Sequence, residues 1–377
     1  MKEGKNYKKL KDVAKYYNGL TYKPTDVTDD GVLVLRSSNI QDNKLSLLDQ
    51  VKVSIKLDEK LKVHKGDLIM CSRNGSKSLI GKVAIIPEEI KDLTFGTFMM
   101  IFKSEYNPFL YYFFLSDVFK KQIWKGEATM INQITRYMLD EVSVPVPPLP
   151  EQQRIVEYLD TQFAKIEALK ANAAKQLQAA KDLFQSALKD LMTPKDGWSK
   201  KQFGEVCDYR KIQDKWKDIP YIGLEHIEAH TGKLLGSINS NEVESSTFKF
   251  QQGDVLYGRL RPYLQKVIIA PFDGCCSTEI FPIKSEVINH NFLKYWLLSD
   301  EVTTIMNESC SGCRMPRANM TDFRKETISF PQQSEQLQLV DSLNSITQNI
   351  HSLEENYEQT ITLCSDLKQS LLKQIFE

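Results

Sequence analysis

The side chains in this sequence best suited to specific chemistry are arginines, asparagines and glutamines set among small residues. They fall in three segments of each half. In the first half these are Arg36, Ser38 and Asn39, then Arg73-Asn74-Gly75-Ser76-Lys77, then Asn132, Gln133 and Arg136. In the second they are His226, then Arg259, Arg261 and Lys266, then Arg314, Arg317 and Asn319. A guanidinium carries a rigid fork of donors, and a carboxamide sets a donor beside an acceptor. Arginine matches the edge of guanine in this way and asparagine or glutamine that of adenine, while lysine and arginine neutralise phosphates. The plainer alternative is that some of these groups are ion-paired or solvated, and that Arg259 and Arg261 hold a turn.

Groups that would make or break bonds are harder to find. Asn107-Pro108-Phe109-Leu110 lacks the second proline of the Asn/Asp-Pro-Pro-aromatic tetrapeptide of adenine methyltransferases. Gly75 to Lys82 is like a phosphate loop with one residue too many between its glycines, and Val83 stands where Ser or Thr would hold magnesium. A basic turn between strands is the simpler reading. Cys310-Ser311-Gly312-Cys313 is a single CxxC without the second pair or the histidines of a structural zinc site. His64, His226, His230, His290 and His351 form no metal or triad pattern. Glu225 and Glu279 are lone carboxylates for which surface or hydrogen-bonding roles suffice. The expectation is a non-catalytic chain with no cofactor or metal of its own.

Those segments need elements to carry them. With 377 residues the chain has room for two domains and connecting structure. Its longest apolar run, Phe109 to Leu115, is far below the roughly 18–20 residues of a membrane span, and no apolar signal segment opens it. A cytoplasmic protein without membrane contact is expected. Seven scattered cysteines fit a reducing compartment better than a disulfide framework. Net charge is zero overall, yet residues 1–148 carry +5 and residues 331–377 carry −5. The tail therefore cannot be a polyanion-binding arm, and such binding falls to the two larger blocks.

The sequence also says one thing twice. Lys65-Gly66-Asp67-Leu68-Ile69 recurs as Gln252-Gly253-Asp254-Val255-Leu256, and Asn39-Ile40 falls opposite His226-Ile227 at the same offset of 187. Val144-Pro145 matches Phe330-Pro331, and Glu151-Gln152 matches Glu335-Gln336. Near each start, Leu10-Lys11-Asp12-Val13-Ala14 is similar to Phe203-Gly204-Glu205-Val206-Cys207. An ordered series with so little drift is a duplication. Each copy has short segments rich in β-branched and aromatic residues, broken by Gly, Asn, Asp and Pro, as in a mixed β-rich domain. A helical aromatic stretch follows, 108–120 and 292–305, then a strand exit with proline.

A long helix leaves each copy. One runs from Pro150 to Met192, about 42 residues or roughly 63 Å. The other spans about Ser334 to Phe376. Ala173, Leu177, Ala180, Phe184, Ala187 and Leu191 on the first alternate by four and three. Ile346, Ile350, Leu353, Tyr357, Thr360, Cys364, Leu367 and Leu371 do so on the second. Stripes of this length call for each other as partners. Residues 1–148 and 196–331 are thus expected as two domains, with 149–195 and 332–377 as antiparallel spacer helices. The fold class is α+β, with a pseudo-two-fold axis that suits the local two-folds of duplex DNA.

Pro147-Pro148-Leu149-Pro150-Glu151-Gln152-Gln153-Arg154-Ile155-Val156 and its degenerate copy at Phe330 to Val340 resemble the helical regions of type I restriction–modification specificity subunits. The stretches Gly253 to Tyr263 and Met315 to Asn319 are similar to segments of those subunits' target recognition domains. The likeness covers essentially the whole chain. It departs at Gln332-Gln333-Ser334, where a proline-rich entry is usual. It implies a bipartite, asymmetric double-stranded DNA target, read one half-site per domain, with a fixed unread gap. It also implies two modification subunits on the helices and domains, bringing S-adenosylmethionine to methylate adenine, and restriction subunits that cleave. The rival readings are an enzyme, a fused methyltransferase–specificity protein, and a coiled-coil adaptor whose β domains bind proteins.

Overall fold

A computed structural model describes residues 6–124, 133–310 and 315–377. Contacts divide the chain into two units, one of residues 1–172 and 359–377, the other of residues 173–358.

In the first unit, strands Lys15–Asn18, Met99–Lys103, Leu68–Cys71 and Val83–Ile85 form an antiparallel sheet in that order. A second sheet has the order Leu93–Phe95, Val32–Leu35, Lys52–Val53 and Val27–Thr28, with its first pair parallel. The all-apolar run Leu68–Cys71 is explained by its alternation. Leu68 and Met70 enter one core and Ile69 and Cys71 the other, so both faces of the strand are buried. Helices α1 (Asn107–Leu115) and α2 (Asp117–Ile123) cover the first of these cores, and α3 (Leu149–Met192) begins beside it.

The second unit repeats the plan. Its antiparallel sheet runs Asp208–Tyr209, Ile280–Lys284, Val255–Gly258, Val267–Ile269. Its other sheet again holds one parallel pair, Pro220–Ile222 with Gly274–Cys276. Val255 and Tyr257 face one core and Leu256 the other. Helices α4 (His290–Leu297), α5 (Asp300–Glu308) and α6 (Gln333–Phe376) follow.

The aromatic stretch expected as one helix is two in both units. Ser116 and Ser299 break it, each in extended conformation with a hydroxyl that accepts an amide of the next helix, Phe119 N at 3.3 Å and Val302 N at 3.4 Å. A serine cap restarts the helix in a new direction.

The repeated Gly-Asp is also accounted for. Gly66 and Gly253 have φ of 83° and 88°, a region that side chains avoid, and turn the chain into its strand. The aspartate that follows accepts an amide three residues back, His64 N at 2.9 Å and Gln251 N at 2.8 Å.

Each unit takes the start or end of both long helices. In the first, Leu159 of α3 shares a core with Leu372 and Phe376 of α6. In the second, Phe184 and Leu188 of α3 share one with Leu339, Leu343 and Ile350 of α6. The helices are therefore antiparallel, and their buried positions repeat by seven: Gln152, Leu159, Ile166, Ala173, Ala180 on α3, and Gln336, Leu343, Ile350 on α6. The expected seam is displaced in places. Leu353 and Leu367 are exposed on the outer side, while Leu188 and Met192 are buried more deeply than Ala187 and Leu191. An inter-helix ion pair, Lys368 with Glu167, sets the cation on the acidic helix, the reverse of what net charge suggests.

Candidate nucleic-acid interface

In the first unit, Ser72 follows the strand Leu68–Cys71, and its carbonyl accepts from Ile134 N at 2.6 Å. Arg73 and Gln133 then pair as a β-bridge. Asn74 Nδ2 donates to Ser37 Oγ at 3.0 Å. Three segments far apart in sequence are thereby set side by side. The second unit builds the same junction: Ala318 N donates to Arg259 O at 2.9 Å, Leu260 bridges Arg317, and Lys266 Nζ reaches Leu224 O at 2.6 Å.

Within that junction the individual side chains differ in their availability. Arg73 and Arg136 are exposed and lie over the rings of Phe98 and Tyr16, each 5.5 Å from the centroid. Lys77 lies 5.8 Å over Trp124. Gln133 is exposed. Aromatic support holds a cation without neutralising it. Arg36, by contrast, pairs with Asp49 at 2.6 Å. The Ser38 hydroxyl, also 2.6 Å from Asp49, is foremost in holding that carboxyl below its ordinary range, with Arg36 adding to it. Asn74 accepts Ser76 N at 2.9 Å, and the Ser76 hydroxyl meets that of Ser78.

Several of the other expected residues are engaged within the chain. Asn39 is 1% exposed, and its amide is used up on Ser46 O, Asp49 O and Arg36 N. It is a turn-former. His226 does the same work in the second unit, its Nδ1 accepting Gly223 N at 2.9 Å. Lys266 Nζ donates one hydrogen to the Leu224 carbonyl at 2.6 Å. Asn319 caps a short helix by accepting Thr321 N and donates to Asp322 at 2.6 Å. Arg317 donates its Nε to Glu279 at 2.8 Å, and Arg259 lies 3.4 Å from the same carboxylate. Arg261 is exposed in a left-handed conformation, φ 53°, with its amide on Pro316 O. Asn132 and Arg314 lie outside the described residues.

Sequence reasoning missed Lys211 and Lys249. A cavity of about 540 Å³ brings Lys211 and Gln213 to Arg259, Arg317 and Asn319. Lys211 stands 4.8 Å over Tyr209 and Lys249 4.7 Å over Trp216. The signal was present as basic residues interleaved with aromatics, from Tyr209 to Lys217 for the first and in Phe248-Lys249-Phe250 for the second. Among the described residues, no group of three or more His, Cys, Asp or Glu is placed to hold a metal ion. No helix among them is long and apolar enough to cross a membrane.

The chain is thus an internally duplicated α+β protein whose two halves each gather the same three polar loop segments. Residues 2–179 and 195–363 match the family model of the type I restriction modification DNA specificity domain, once per half, and the chain belongs to that family. It is 27% identical over 307 residues to the type I restriction enzyme EcoDI specificity subunit of Escherichia coli, covering 71% of this chain and 69% of the relative. It is 23% identical over 398 residues to the EcoKI specificity subunit of E. coli K12, covering 95% and 85%. Among solved structures it is similar to a chain from work on complex assembly and conformational transition of the type I R-M system, with TM-score 0.76, 18% identity and coverage of 99% and 97%. It is also similar to the HsdS subunit of Thermoanaerobacter tengcongensis, with TM-score 0.56, 17% identity and coverage of 100% and 97%. These two likenesses concern the fold.

Proposed function

We propose that this chain is the non-catalytic specificity subunit of a type I restriction–modification complex and binds double-stranded DNA at a bipartite, asymmetric site. Residues 1–148 read one half-site and residues 196–331 the other, with residues 149–195 and 332–377 as the helices between the readers. Two modification subunits bind the helices and domains and supply S-adenosylmethionine for adenine methylation, and restriction subunits cleave. The observation that carries this reading is the paired junction: Arg73 with Gln133 and Leu260 with Arg317 are the same backbone bridge, furnished with different side chains. One scaffold used twice with unlike readers suits two unlike half-sites.

The test is a genome-wide map of methylated adenine in cells expressing the chain with its modification subunit. Two short unlike motifs at a constant gap are expected. A stable complex that adds no methylation, and that binds a scrambled duplex as well as any other, would leave an adaptor role and overturn the proposal.

A further inference from the structure

Phe98 of the first half has a counterpart in Glu279 of the second. The Glu279 carbonyl accepts Arg259 N at 2.9 Å, just as the carbonyl of Phe98 accepts Ser72 N at 2.9 Å. Glu279 and Phe98 therefore occupy the same place in the duplicated sheet, behind the bridge that joins the loop segments.

Their side chains differ, yet both back an arginine. Phe98, 48% exposed, lies under the Arg73 guanidinium at 5.5 Å. Glu279 Oε1 accepts Arg317 Nε at 2.8 Å, and its Oε2 stands 3.4 Å from Arg259 Nε. The carboxylate is 25% exposed. Arg259 is backed on its other side by the Phe281 ring, 5.4 Å away. Among the described residues the outer end of the Arg317 fork makes one further contact, 3.3 Å from Nη1 to Met315 O, and is otherwise open to a ligand. A guanidinium fixed through its inner nitrogen keeps the geometry that pairs with a guanine edge, and loses little freedom on doing so. Arg259 Nε and Glu279 Oε2 are both buried and neither makes a hydrogen bond. They face each other as an ion pair beside the cavity bounded by the same two arginines, so the carboxylate holds both guanidinium groups.

We infer that Glu279 is a positioning residue that sets Arg317 and Arg259 to read a guanine in the second half-site, and that Phe98 does the same for Arg73 in the first. This rests on the DNA-reading proposal above.

The experiment selects bound duplexes from a library randomised in both half-sites, using the chain in complex with its modification subunits. Glu279→Gln is expected to lower the preference for guanine at one position of the second half-site about tenfold or more, leaving the first half-site unchanged. Arg317→Lys keeps a cation for Glu279 but not the fork, and loses preference at that same position. Phe98→Leu acts in the first half-site only. Unchanged preference in Glu279→Gln, or equal weakening at both half-sites, overturns the inference while the DNA-reading proposal stands. A wild-type complex that selects no bipartite duplex overturns both.

Discussion

Gln152 and Gln336 hold corresponding places in the two halves, and each donates its Nε2 hydrogen to a proline carbonyl five residues back, Pro147 at 2.7 Å and Pro331 at 2.9 Å. Both are buried, at 3% and 1% exposure. The repeated Glu-Gln of the sequence is thus a lock on each helix entry. Gln336 does more, since its Oε1 also accepts Asn289 N at 2.7 Å, the cap of α4. Replacing either by alanine leaves a buried carbonyl unmet and costs about 1–3 kcal/mol. Hydrogen exchange at the Asn289 amide should rise in Gln336→Ala and stay unchanged in Gln152→Ala. Equal protection in both variants would show that the Asn289 contact contributes nothing.

Asp254 and Asp67 make the same turn but differ in what else they hold. Asp254 has a side chain 3% exposed and sits 2.6 Å from Arg210 Nε, whereas Asp67 meets Lys103 at 3.2 Å with side chains 11% and 25% exposed. Removing the carboxylate from Asp254 strands a partly buried guanidinium and should cost about 3 kcal/mol. The cost at Asp67 should be closer to about 1 kcal/mol, because Arg210 grips Asp254 through two nitrogens whereas Lys103 meets Asp67 by one longer contact and keeps its bond to Lys62 O. Urea midpoints of Asp254→Asn and Asp67→Asn compare the two, and matched midpoints would refute the distinction.

How much of this was legible in the sequence depends on the range of the interaction. The strands around Leu68 and Val255 and the two long helices rest on local periodicity, the duplication on an ordered series of distant matches, and the elements lie where those patterns put them. The break at Ser116 and at Ser299 was hidden because the flanking residues are all good helix occupants, and one cap decides the direction. The reading residues fared worse. Arg36 and Arg73 look alike in the sequence, yet Asp49 neutralises one and Phe98 supports the other. That difference lies in pairings across the loop and the sheet, which spacing does not reveal.

Charge availability gives a third prediction. Arg261 is exposed with no acidic partner among the described residues, while Arg36 is held by Asp49. Arg261→Ala should weaken binding to any duplex and reduce the slope of log affinity against log salt by about 0.9. Arg36→Ala should leave that slope nearly unchanged, and Asp49→Ala should steepen it by freeing Arg36. Titrations of the complex against a non-target duplex at several salt concentrations decide this. A slope altered by Arg36→Ala but not by Arg261→Ala would sink the assignment.

The thiols should divide by burial. Burial pushes the Cys207 thiol up to about 12 and raises those of Cys71, Cys275 and Cys276. Raised values keep these groups protonated and unreactive at pH 8, since the thiolate is the nucleophile. Burial raises the Cys310 thiol too, but it is only half-buried and so stays within reach of a reagent. Brief alkylation of the native protein followed by peptide mapping should mark Cys310 well before Cys207, and early modification of Cys207 would contradict its placement.

The helix seam offers the sharpest contrast in stability. Leu159, Leu343 and Leu372 are each 0% exposed, whereas Leu353 and Leu367 are 40% and 47% exposed although the sequence stripe includes them. Truncating a fully buried leucine removes its transfer energy and leaves a cavity, about 2–5 kcal/mol. An exposed one costs under about 0.5 kcal/mol. Leu343→Ala and Leu372→Ala should therefore lower the unfolding midpoint clearly, and Leu353→Ala and Leu367→Ala hardly at all. The contrast turns on register, because moving a helix by one residue rotates every position about 100° from its neighbour. If Leu353→Ala and Leu367→Ala proved as damaging as Leu343→Ala, the two helices would pair along the stripe read from sequence, and the heptads through Leu159 and Leu343 would be wrong.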